Sequence, residues 1–173
     1  MIADTLNSTN SIKPPSLYPE RVLAVQATYS MDILAGKKLL SQVASDYMLY
    51  YIEKYPKQNL NREFYLNLLE NTYDNLKYID KKISINLENT WKLERLPKLV
   101  LAILRVGGVE IIISKKPQVA LIINDYLQIS KSLNHEGEVG FINSILDKVR
   151  KEKELIVGLS KKEKERVKKK EEA

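Results

Sequence analysis

One stretch limits the folds open to this chain more than any other. It is Leu96–Ile113, LPKLVLAILRVGGVEIII, the longest apolar run in the sequence, with charge only at Lys98, Arg105 and Glu110. A bilayer span needs about 20 apolar residues with few or no charges, so this run does not read as a membrane crossing. Pro97 suits the first turn of a helix, where its missing N–H has no intrahelical acceptor to lose. Leu99–Leu104 is apolar on every side, as in a helix enclosed by other elements. Val109–Ile113 is β-prone, and periodicity alone leaves a strand open there. The run is read as the buried central helix of an all-α, single-domain bundle.

With 173 residues the chain is long enough for one domain with its own core. Its 44% hydrophobic and 29% charged residues are those of an ordinary globular sequence. It has no cysteine, so disulfides and thiolate metal sites are excluded, and its single histidine, His135, excludes His clusters. The opening MIADTLNSTN has neither a basic nor an apolar signal region, so a cytoplasmic location is expected. The net charge is +6, half of it in residues 151–173, where nine basic residues face six acidic ones. The body is therefore only mildly basic, and an anionic partner is weakly favoured.

Residues 1–15 lack periodicity and end in Pro14-Pro15, reading as a disordered or extended lead-in. A first helix is expected from near Ser16 to Ala35-Gly36. Its apolar stripe is Val22, Val25, Tyr29 and Ile33, with Arg21, Gln26 and Asp32 on the flanks. A second helix, Lys37 to about Tyr55, carries Leu39, Leu40, Val43, Tyr47, Tyr50 and Tyr51; its tyrosines read as amphipathic core residues. A third runs from Asn61 to Leu76, and a fourth carries Ile79, Ile83 and Leu87, with Trp91 packing on the core beyond it. After the central helix and a turn at Ser114–Pro117, Val119, Ile122, Ile123, Tyr126 and Leu127 mark a sixth helix. Asn134 is the expected N-cap of a seventh, with Phe141, Ile142, Ile145, Leu146 and Val149 inward. The expected organisation is a lead-in over 1–15, a bundle of about seven helices over 16–152, and a charged basic tail over 153–173. The tail reads either as a solvated helix with Glu/Lys pairing or as a frayed extension.

No catalytic constellation emerges. Gly107-Gly108 lacks the lysine and Ser/Thr of a phosphate-cradling loop. Glycine inside a helix costs roughly 1 kcal/mol relative to alanine, so the pair points to close helix–helix approach or a local break. The acidic pairs Glu136/Glu138 and Asp74/Asp80 lie in polar stretches where solvation is the default. His135 sits beside the expected cap with no nucleophile in view. No enzyme, metal or organic cofactor is indicated.

Four stretches taken in order carry a resemblance. RVLAVQATYS at 21–30, AILRVGGVEI at 102–111, INDY at 123–126 and FINSILDK at 141–148 resemble the NusB family of bacterial transcription antitermination factors, over roughly residues 18–152. The resemblance implies an all-helical RNA-binding protein. Such a protein takes single-stranded boxA-type RNA together with the small-subunit ribosomal protein NusE, and helps the RNA polymerase antitermination complex read through terminators in rRNA operons. Family RNA contacts carried onto this chain fall on Arg21, Gln26 and Tyr29, then on Phe141 and Asn143, with Lys13 as the other nearby cation. Arg105 and Glu110 become candidates for contacts to other helices or to NusE. Tyr29 and Phe141 are each open to a base-stacking or a core role.

The chain departs from the family pattern where an arginine-rich segment is usual, since Ser16–Glu20 reads SLYPE. Fewer cations on the RNA backbone imply weaker binding and a salt slope shallower by about one unit for each phosphate left unpaired. The basic residues of Lys161–Lys170 are a candidate compensation. A helical protein–protein module with weakened RNA binding and a fragment of an RNA cytosine methyltransferase are the alternatives, and a homodimer stays open.

Overall fold

The computed structural model describes residues 16–115 and 118–171. Among these there are seven α-helices and no strand: α1 (Tyr18–Leu34), α2 (Leu40–Lys54), α3 (Arg62–Asp74), α4 (Leu76–Asn86), α5 (Lys98–Ile113), α6 (Val119–Ser132) and α7 (Val139–Glu171). Short 3-10 turns at Leu93–Arg95 and Glu136–Glu138 lead into α5 and α7. No helix among the described residues is long and apolar enough to cross a membrane.

The apolar run is the centre of the bundle. Every residue of α5 from Val100 to Ile111 is buried, and α5 packs most extensively on α7 and α1, then on α6, α3 and α4. It therefore stands between the first and last helices. Pro97 is the cap preceding the helix, and its carbonyl accepts the Leu101 amide at 3.0 Å. No strand forms at Val109–Ile113; Val109 and Ile111 find their apolar contacts inside the bundle without a sheet, and Ile113 at the end of α5 is exposed. The glycine pair is explained by close approach. A Cβ on Gly108 would lie 2.5 Å from Ile79 Cδ1, and one on Gly107 would lie 3.1 Å from the Tyr126 ring.

Local sequence fixes several boundaries. Ala35 and Gly36 both take left-handed backbone and end α1. The Leu39 amide donates to Gln42 Oε1 at 3.0 Å, so α2 starts at Leu40, three residues beyond the expected Lys37. The Asn61 side chain accepts from the Phe64 amide at 3.0 Å and opens α3.

Four expectations are corrected. Asn134 does not cap α7; it adopts φ 62° just beyond α6, a conformation asparagine tolerates better than most residues. Trp91 does not pack on the core, being 53% exposed. Ile33, placed on the apolar stripe of α1, is 53% exposed, and Tyr29, left open between a core and a stacking role, is 37% exposed; Val25 of that stripe is buried, together with Leu23, Ala24, Ala27 and Thr28. Leu39 and Tyr50, read with the second helix's inward face, are exposed as well. Of the two tail readings, the backbone takes the helical one, since α7 continues without interruption to Glu171.

Candidate nucleic-acid interface

Two arginines singled out from the sequence turn out to bind inside the protein. Arg21 lies in the first turns of α1 and is 9% exposed. Its Nε donates to both oxygens of Glu110 at 3.0 and 2.9 Å, its Nη2 to Glu110 Oε1 at 2.5 Å, and its Nη1 to Asp125 Oδ2 at 2.8 Å. The Tyr126 hydroxyl donates to Glu110 Oε2 at 2.6 Å, and the guanidinium lies 5.5 Å from the centre of the Phe64 ring. Burial alone weakens the guanidinium's hold on its proton. Hydrogen bonding and charge attraction from Glu110 outweigh that, so Arg21 stays charged beyond its ordinary range. Planar, bidentate pairing is what arginine supplies and lysine does not.

Arg105, midway along α5, repeats the arrangement at another level. Its Nε and Nη2 donate to the two oxygens of Asp80 at 2.7 and 2.8 Å, and Nη1 to Asp32 Oδ2 at 2.8 Å. These contacts join α5 to α4 and α1. Arg105 and Glu110 are thus partners for neighbouring helices, the first of the two roles the sequence left open. Arg21, read from helical periodicity as a polar flank, is instead a junction of α1, α5 and α6.

The remaining sequence-named residues are open to solvent in different ways. Gln26 is half-buried on α1, Tyr29 is exposed one turn later, and Asn143 is exposed on α7. Phe141 is half-buried, and its ring centre stands 6.3 Å from that of Trp91 with the planes tilted by 33°. This pair combines one anchored ring and one exposed indole where the 88–97 connection meets the start of α7. Trp91 is the residue sequence reasoning assigned elsewhere; its position in a polar connection, away from any apolar stripe, was the available signal. The described candidates for RNA contact fall on two helices. Gln26 and Tyr29 belong to α1, Phe141 and Asn143 to α7, and α5 packs between those helices. Lys13 lies outside the described residues.

One member of each acidic pair has a basic neighbour. Asp80 binds Arg105, and Glu138 lies 3.5 Å from His135 Nδ1. Among the described residues, no group of three or more His, Cys, Asp or Glu side chains could hold a metal ion.

The fold and site define an all-α protein, a bundle built around one enclosed helix and tied by buried arginine–carboxylate junctions, with exposed aromatic and amide groups at its margins. A crystal structure of T. maritima NusB superposes with a TM-score of 0.69 at 25% identity, covering 80% of this chain and 92% of that one. The NusB family profile matches residues 19–151, and the chain belongs to that family. A transcription antitermination protein NusB from Bartonella quintana is 31% identical over 135 residues, spanning 76% of this chain and 85% of that protein. A structure of the antitermination factors NusB and NusE in complex with double-stranded RNA shares the fold, with a TM-score of 0.66 at 20% identity over 78% of this chain and 95% of that one.

Proposed function

We propose that this chain is an RNA-binding transcription antitermination factor that acts in the cytoplasm with ribosomal protein NusE and has no catalytic activity of its own. The observation that carries the reading is the family match over residues 19–151, together with relatives that are themselves transcription antitermination proteins. Residues 16–152 form the RNA-binding domain in this proposal. Gln26, Tyr29, Phe141 and Asn143 supply RNA contacts, with Trp91 beside Phe141 as an added stacking surface, because specific readers of single strands stack unpaired bases on aromatic rings. Arg21 contributes by fixing the start of α1 against α5 and α6. The nonenzymatic part is supported by relatives that are named as transcription antitermination proteins.

The test is a titration of boxA-type single-stranded RNA and of an RNA duplex, each with and without NusE. Tight binding of either RNA in the presence of NusE supports the proposal. Trp91→Ala should weaken binding about tenfold or more with little change in melting temperature, whereas Phe141→Ala should weaken binding by a similar factor and also lower the melting temperature, because its ring packs against the core. A second reading, a protein–protein module with residual RNA affinity, is favoured by one observation: the arginine nearest the expected RNA face is engaged internally. NusE binding without any RNA binding would select it.

A further inference from the structure

A groove of about 420 Å³ opens between α1, the end of α2 and the segment that follows it. That lies within the range of small-ligand sites, about 300–1,000 Å³. Its α1 wall includes Gln26, and its α2 wall presents two rings to solvent, Tyr50 at 57% and Tyr55 at 38% exposure. Lys54 stands between the rings. Its ammonium is 5.3 Å from the Tyr50 ring centre and 5.5 Å from that of Tyr55, and it donates to the Tyr50 hydroxyl at 3.0 Å. Behind them the buried Tyr51 packs on Tyr55 with ring centres 5.0 Å apart. The Tyr51 hydroxyl donates to Gln58 Oε1 at 2.6 Å, which fixes the Gln58 amide with its NH₂ group still able to donate.

We propose that this groove, formed by Tyr18, Gln26, Tyr50, Lys54, Tyr55 and Gln58, receives one unstacked RNA base with its phosphate. The inference rests on the RNA-binding reading above and adds a site to it. Each component matches one part of a nucleotide. Exposed tyrosine rings offer flat faces for stacking, which every base can use. The Gln26 and Gln58 amides carry both donors and acceptors, the groups that read a base edge. Lys54 is a cation at the rim, placed where a phosphate follows a bound base. A purely apolar occupant would leave both amides and the ammonium unused. Only Gln26 among these residues is indicated by the family resemblance, so the site extends the expected contacts along α1 onto α2.

The test uses the full chain with NusE and a boxA-type single-stranded RNA, together with a series in which each nucleotide in turn is made abasic. The Tyr50→Ala/Tyr55→Ala double variant should bind the parent RNA about tenfold or more weakly, since base–aromatic stacking is worth that much per base. One abasic position that weakens binding to the unmodified chain should have no further effect on the double variant. Tyr50→Phe should retain affinity, and Lys54→Ala should lower the salt slope by about one. Circular dichroism melting checks that the variants fold. If the unmodified chain binds RNA but the double variant binds equally well and every abasic position keeps its effect, the groove is not an RNA site and the wider reading stands. If the double variant loses NusE affinity in the absence of RNA, the groove is a protein-docking surface and the proposal is overturned. If the unmodified chain binds no RNA even with NusE, the wider reading fails and takes this site with it.

Discussion

The Arg21 and Arg105 junctions are alike in chemistry and differ in how dry they are. Each places a guanidinium against two carboxylates, and each ties α5 to α1. At Arg21 the main acceptor, Glu110, has a side chain only 6% exposed, and the fully buried Tyr126 completes it. At Arg105 both acceptors are wetter, with Asp32 and Asp80 side chains 25% and 24% exposed. A charge left without its partner is destabilising in proportion to how little water can replace that partner. The same chemistry should therefore act as a structural requirement at one level of the bundle and as a modest tie at the other.

Removing each arginine tests this directly. Arg21→Ala leaves the buried Glu110 carboxylate with the Tyr126 hydroxyl but without its cation and should destabilise the fold by about 3–5 kcal/mol, measured by chemical denaturation. Arg105→Ala leaves two carboxylates that water can reach, and a smaller destabilisation of about 1.5–3 kcal/mol is expected. Equal effects at the two sites would show that dryness does not separate them. Next in size is Tyr126→Phe, about 1 kcal/mol, because Glu110 keeps its arginine. Tyr73→Phe, beside Arg105, should change stability by less than about 0.5 kcal/mol.

Alkaline titration extends the contrast to pH. Burial raises the Tyr126 hydroxyl well above its ordinary range, and the charge and hydrogen bond of Glu110 raise it further. Burial, with a smaller push from Asp32, raises Tyr73 from 10.0 to about 12. A raised folded value means that the fold prefers the protonated phenol. The stability it contributes is complete below pH 10.0 and is lost as the pH climbs through about 12. Phenolate absorbance should show Tyr73 ionising near that upper value in the folded protein, and Tyr126 only as the fold opens. An early Tyr126 titration in folded protein would mean that water enters the Arg21 junction.

The apolar helices were legible because enclosure leaves a strong mark in sequence. The Leu96–Ile113 run was read as central, and close approach was one of two readings of its glycines. Arg21 was not legible, because helical spacing reports the face a residue occupies on its own helix. Its partners lie 89 and 104 residues away, on helices whose placement the spacing does not give. Trp91 was misplaced because a large aromatic is usually buried, and no periodic pattern runs through residues 88–97 to say otherwise. The groove at Tyr50 went unread because it joins α1 to a segment beyond α2, a neighbourhood that exists only after folding.

The end of α5 bears on where the domain stops. Lys153 Nζ donates to the Ile111 carbonyl at 2.6 Å and also to the carbonyl of Ser114, and burial holds its pKa below the ordinary lysine value. One lysine of the nominal tail is thus a clasp on the central helix. A deletion beginning at residue 153 would unfasten α5 while seeming to remove only surplus charge. A cut placed after Glu154 spares the clasp, and it allows any drop in RNA affinity to be assigned to the residues beyond.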